Sequence, residues 1–369
     1  MNDPAPHARR LTHHQPPHRA PAEAPRHGPG DAKHGPAEAL APRHGPGVAG
    51  HGPGAAGPAP ADAPAGASLR TQLGALTTEE FRPDLADVDT RSTLDIARAM
   101  NDGDRAVPEA VTGQLPRIAA AVDAIAARMA RGGRLVYAGA GTAGRLGVLD
   151  ASECPPTFNA DPSQVVGLIA GGPEALVRSA EGAEDAASLA HDDLKALDLR
   201  PDDTVVGVSA SGRTPYAVGA VEYARDAGAL TVGVACNAGS ALAAAVDHPI
   251  EVVVGPEFIT GSTRLKSGTA QKLVLNMLST ITMIRLGKTY GNLMVDVRAT
   301  NDKLRARSHR IVAQATGASD GEIAAALEAT GGEVKNAILV LLGGVDAPTA
   351  ARLLAEHHGH LRAALSAVP

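Results

Sequence analysis

Arg134-Leu135-Val136-Tyr137-Ala138 runs without a break into Gly139-Ala140-Gly141-Thr142-Ala143-Gly144-Arg145. The first five residues read as a short strand, and Gly-x-Gly-x-x-Gly after it reads as a tight turn opening a helix. Small residues let backbone amides approach a ligand, and the N-terminal end of a helix favours negative charge. Alone, the pattern fits a dinucleotide site. That reading needs an acidic residue closing the next strand, and Gln164–Ile169 ends instead in Ala170-Gly171-Gly172. Thr142 and Arg145 suit a phosphate better than a nicotinamide dinucleotide.

A second turn repeats the logic. Thr204–Val208 leads into Ser209-Ala210-Ser211-Gly212-Arg213-Thr214-Pro215 and then a helix around Ala217–Ala224. Again small and hydroxyl residues precede a Gly-Arg pair at a helix start. Two such turns predict a sugar phosphate as ligand. Ser209, Ser211 and Thr214, with Thr142 from the first turn, are the candidate phosphate-binding residues.

Outward from these turns, short β-rich runs alternate with helices. The candidate strands are Arg134–Ala138, Gln164–Ile169, Thr204–Val208, Leu230–Ala235 and His248–Val254. Several are apolar on both faces, as in a parallel sheet covered by helices on both sides. The fold class expected is α/β, a parallel sheet flanked by helices. Before the sheet the pattern is helical, with Ile118, Val122, Ile125 and Met129 on one stripe. After Lys266, the stripe Leu273, Met277, Ile281, Ile284 predicts a long buried helix. Ser262, Thr263 and Lys266 form a polar cluster before that helix and could reach a ligand or cap it. From Ser319 onward, short helices separated by Gly331-Gly332 and Gly343-Gly344 predict a small helical C-terminal domain. The expected division is a tail (1–66), a helical N-terminal segment (67–124), the α/β domain (125–288), a helical connection (289–318) and the helical domain (319–369).

Residues 1–66 are dominated by Pro, Ala, Gly, His and Arg, with His-Gly-Pro at His27, His34, His44 and His51. Such a stretch buries too little apolar surface to offset its conformational entropy, so disorder is expected. Metal binding by its histidines is the sharper alternative. A cleaved targeting segment fits less well, because Glu23, Asp31 and Glu38 interrupt it.

Composition narrows function. Across 369 residues the net charge is −6 and aromatics make up 2%, with no Trp. A broad nucleic-acid footprint or a base-stacking platform is therefore not expected. Cys154 and Cys236 are the only cysteines, too few for a disulfide framework and without zinc-ligand spacing. No apolar run approaches the roughly 20 residues of a membrane span, and the start lacks a signal-peptide core. A cytoplasmic protein with no metal and no cofactor is expected.

Longer strings carry a resemblance. They are Leu146-Gly147-Val148-Leu149-Asp150-Ala151-Ser152-Glu153-Cys154-Pro155-Pro156-Thr157, Glu181-Gly182-Ala183-Glu184-Asp185 and Ala210-Ser211-Gly212-Arg213-Thr214-Pro215-Tyr216. Thr269–Thr280 and Tyr290–Val297 add two more. Together they resemble the N-acetylmuramic acid 6-phosphate etherases, members of the sugar isomerase (SIS) fold group, from about Thr90 to the C-terminus. The resemblance implies a SIS domain, a homodimer, and a lyase that splits the D-lactyl ether of a sugar phosphate in peptidoglycan sugar salvage. It assigns Glu153 as proton donor and Glu184 as the second acid/base residue. Residue types alone leave open which glutamate gives the proton and which takes it. Two carboxyl groups of separated pKa would suit an elimination followed by addition of water. One departure is Ala143, where the family usually has Ser; a lost hydroxyl there would weaken binding by about 1 kcal/mol. The alternatives are a SIS-domain sugar-phosphate sensor without catalysis and an aldose–ketose isomerase.

Overall fold

The computed structural model describes Gly74, residues 76–297 and residues 302–368. The expected disordered tail, 1–66, lies outside the described residues. Helices α1 (Thr93–Asp104), α2 (Ala106–Thr112) and α3 (Leu115–Met129) precede the sheet. Ser92 starts α1 by accepting the amide of Asp95 at 3.2 Å, which satisfies one of the donors a helix start leaves open. The buried stripe of α3 is Ile118, Val122, Ile125 and Met129, as the spacing predicts.

Five parallel strands follow: β1 (Leu135–Gly139), β2 (Val165–Ile169), β3 (Thr204–Val208), β4 (Leu230–Ala235) and β5 (His248–Glu251). Between them run α4 (Gly141–Phe158), α5 (Ala187–Ala196), α6 (Pro215–Asp226) and α7 (Ala241–Ala244). The sheet order is β2-β1-β3-β4-β5. Both faces are covered, so successive residues of one strand enter different cores. Leu135 and Tyr137 pack with α3, α4 and the long helix α8 (Lys266–Arg285), while Val136 and Ala138 pack with α5 and α6. The expected α/β class, a parallel sheet flanked by helices, is present.

Helix α8 departs from its predicted stripe. Its buried residues include Ala270, Val274, Leu275, Leu278 and Met283, whereas Ile281 and Ile284 are 36% and 45% exposed. Apolar residues occur on both sides of this helix, so periodicity alone could not choose between them.

In the segment where a helical connection was expected, β6 (Thr289–Tyr290) and β7 (Leu293–Met294) form a two-stranded hairpin before α9 (Asp302–Thr316). Ile311 and Val312 of α9 share one apolar cluster with α10 (Asp320–Ala329), α11 (Val334–Gly343), α12 (Ala347–Glu356) and α13 (Leu361–Ser366). Ser319 and Glu322 close a capping box on α10. Among the described residues no single helix is long and apolar enough to cross a membrane.

Candidate functional site

Gly139 pairs with Val208 in the β1–β3 ladder. The two glycine-containing turns therefore leave the carboxyl edge of the sheet side by side. Here the winding also reverses, since the chain moves outward from β1 to β2 and then returns to β3. Open α/β sheets bind ligands in the crevice at such a switch point.

The second turn gathers its hydroxyls. Ser209 Oγ lies 2.7 Å from Thr214 Oγ1 and 3.2 Å from Ser211 Oγ. The amide of Gly212 donates to Ser209 Oγ at 3.0 Å, and that of Arg213 to Ser211 Oγ at 3.2 Å. Gly212 has φ +67°, and a Cβ there would stand 2.3 Å from Ser240 Cβ; only glycine fits. Thr214 then precedes α6, where Pro215 takes a first-turn position that needs no amide donor. Ser209, Ser211 and Thr214 thus occupy one spot at the start of a helix.

The first turn is tied to β1 by close packing, because a Cβ on Gly144 would meet Gly139 O at 2.6 Å. Thr142 is half-buried, and its Cγ2 lies 3.4 Å from where a Cβ on Gly268 would be, so it neighbours the start of α8. The Arg145 guanidinium donates to the carbonyls of Leu176 at 3.0 Å, Ala175 at 2.7 Å and Arg178 at 3.2 Å, fastening the turn after β2 beside the first turn. Ala143 is buried within the core cluster beside α4, so its side chain is part of the packing.

Glu184 sits exposed in a single 3-10 turn, Ala183–Asp185. It lines a cavity of about 210 Å³ together with Gly141, Arg145, Ser179 and Glu181. Glu153 lies exposed on α4, and at 1.5 Å per residue it is about 18 Å along the helix from Gly141. Glu184 and Gly141 thus line one cavity, and Glu153 lies farther along α4 from Gly141.

Residue types alone missed Glu257. It is fully buried, and its carboxylate accepts the amides of Lys266 and Ser267 at 2.9 Å and the Ser267 hydroxyl at 2.7 Å. The Glu257 carboxyl group thus caps the start of α8 through two of its first amides. Lys266 is buried too, with its ammonium donating to Val254 O at 2.7 Å, and burial holds its pKa below the usual lysine value. The signal available was an acidic residue inside the turn Gly255-Pro256-Glu257. Burial pushes the thiols of Cys154 and Cys236 up to about 12, so neither is a thiolate at neutral pH.

This sheet order, with a hydroxyl-lined turn at the switch point, defines a SIS-type α/β protein. Two family descriptions agree: the SIS domain matches residues 181–281, and the glucokinase regulatory protein N-terminal SIS domain matches 117–225. An N-acetylmuramic acid 6-phosphate etherase from Streptomyces avermitilis is 76% identical over 302 residues, 82% of this chain and 97% of that one. One from Rubrobacter xylanophilus is 60% identical over 294 residues, 80% of this chain and 97% of the relative. A solved phosphoheptose isomerase from Francisella tularensis aligns with 53% of this chain and all of its own at 18% identity, with a TM-score of 0.39, too slight a likeness to bear on function. The chain belongs to the N-acetylmuramic acid 6-phosphate etherase family.

Proposed function

We propose that this chain cleaves the D-lactyl ether of N-acetylmuramic acid 6-phosphate, giving N-acetylglucosamine 6-phosphate and D-lactate in the catabolism of peptidoglycan amino sugars. The observation that carries the reading is the pair of turns at the β1–β3 switch point, with three hydroxyls gathered in one of them. Ser209, Ser211 and Thr214 would take the phosphate at the start of α6, with Thr142 reaching in from the first turn.

The chemistry follows from the substrate. An alkoxide is a poor leaving group, so direct hydrolysis is slow. In the open-chain sugar the C1 aldehyde acidifies the proton on C2. A base removes that proton, the C3–O bond breaks, and an acid protonates the departing lactate oxygen. Water then adds to C3 of the unsaturated aldehyde while C2 regains a proton. Glu153 is the donor to the lactate oxygen and Glu184 the second acid/base group.

The reading extends to a homodimer. Glu153 stands about 18 Å along α4 from Gly141 at ideal helix rise, so on this reading the Glu153 that acts beside the first turn comes from a second copy. Leu149, one turn before Glu153 on the same helix face, is 51% exposed, an apolar neighbour that a partner would cover. The protein acts in the cytoplasm on this reading.

Incubation with N-acetylmuramic acid 6-phosphate and enzymatic assay of D-lactate tests the function. Steady release is expected. Binding without release would instead support the sensor, and sugar isomerisation without lactate the isomerase.

A further inference from the structure

We infer that Thr78 and Asn237 form a latch through which the N-terminal segment positions the hydroxyl turn for the phosphate, an inference that rests on the function proposed above. Thr78 lies in a 3-10 turn, Thr77–Glu79, ahead of both regions matched by the SIS descriptions. Asn237 follows β4 closely. Both are nearly or fully buried, at 0% and 3% exposed.

Their contacts are reciprocal. Asn237 Nδ2 donates to Thr78 Oγ1 at 3.2 Å, and the Thr78 amide reaches Asn237 Oδ1 at a long 3.5 Å. The same Nδ2 donates to Ala210 O at 3.0 Å, so the Asn237 amide group has both donors and its acceptor engaged. Ala210 stands between Ser209 and Ser211, and its carbonyl also receives the Cys236 amide at 2.9 Å. On its other side, Thr78 O accepts the amide of Gly261 at 3.3 Å, in the loop leading to α8. One threonine thus ties together the hydroxyl turn, the end of β4 and the loop before α8. Leu76, 4% exposed, anchors the segment beside it.

Thr78 and Asn237 are positioning residues: Asn237 touches the backbone between Ser209 and Ser211, Thr78 acts on it through Asn237, and no substrate atom is assigned to either. Loosening the latch should let the turn lose its register with the phosphate. That lowers affinity more than turnover, because the reacting carbons lie elsewhere on the sugar. Loss of one buried hydrogen bond corresponds to about a fivefold to tenfold change.

The test is steady-state kinetics on N-acetylmuramic acid 6-phosphate, with calorimetric binding of N-acetylglucosamine 6-phosphate, for Thr78→Val and Thr78→Ser in the full chain. Valine keeps the shape and removes the hydroxyl, whereas serine keeps the hydroxyl. Thr78→Val should raise KM and the product Kd about fivefold or more with kcat within twofold, and Thr78→Ser should stay close to wild type. A folded Thr78→Val with KM and Kd within twofold of wild type would overturn the latch, as would a fall in kcat with KM unmoved. Should valine prevent folding, Thr78→Ala carries the same comparison. A wild-type chain that binds the product without releasing lactate removes the proposed reaction alone and leaves the latch to be judged on Kd. One that does neither removes both.

Discussion

Tyr137 donates its hydroxyl to Asp150 at 2.8 Å inside the core, and Asp150 lies one turn before Glu153 on α4. Asp150 also accepts Asn276 Nδ2 at 2.6 Å and Ser279 Oγ at 3.1 Å, both from α8. A single buried carboxylate thereby joins β1, α4 and α8 beneath the surface that presents Glu153. Burial raises the Asp150 pKa, and the three donors oppose that rise.

Tyr137→Phe removes one of these donors and keeps the ring. It should cost about 1–2 kcal/mol. At a few degrees per kcal/mol, differential scanning calorimetry should show a fall in Tm of about 3–6 °C. An unchanged Tm would mean that the hydroxyl is not holding the helix.

The pH dependence of stability should depend on Asp203. Its side chain is fully buried and its carboxylate accepts Arg134 Nη2 at 2.6 Å and the Arg134 and Arg200 amides at 2.8 Å. Burial works to raise its pKa, but the hydrogen bonds and charge of Arg134 prevail and hold it below the usual carboxylate value. A lowered pKa contributes stability that is present above about pH 4, the unfolded value, and is lost as pH falls through the folded one. Asp203→Asn should cost about 3 kcal/mol at pH 7, and Tm measured from pH 7 down to pH 3 should fall less steeply than in wild type.

Gly212→Ala should damage the hydroxyl turn. A positive φ costs a non-glycine residue about 1–2 kcal/mol, and the added Cβ would also meet Ser240. KM should rise at least tenfold in the lactate assay, with a lower Tm.

Ala143→Ser adds a hydroxyl within the first turn. Because Ala143 faces the core, the change should leave KM within twofold. A severalfold fall in KM would show that the hydroxyl reaches the ligand.

Strands and both turns were legible in the sequence because each is a local pattern: a short apolar run, then small residues opening a helix. Gln164–Ile169 and Thr204–Val208 sit within a residue of the observed β2 and β3. The buried side of α8 was not legible, since Leu273 and Ile281 are as apolar as Val274 and Leu278. Nor was the commitment of Arg145 to carbonyls about 30 positions onward, or the link between Thr78 and Asn237, 159 positions apart. Those contacts exist only once the sheet has brought distant turns together. The hydroxyls of Ser209, Ser211 and Thr214 were readable as a group because one turn holds all three. The glutamates were not readable as neighbours, since α4 carries Glu153 away from the edge where Glu184 lies.

The proposed pairing of Glu153 with Glu184 across two chains is tested most directly by hybrid dimers. Glu153→Gln and Glu184→Gln chains, co-expressed with different affinity tags and purified through both, are assayed for D-lactate release from N-acetylmuramic acid 6-phosphate. Each single variant should be inactive. A hybrid whose sites each draw one glutamate from either chain retains one intact site of two, so it should recover about half of the wild-type rate. No recovery in a hybrid that is folded and dimeric, beside an active wild type, would contradict the account.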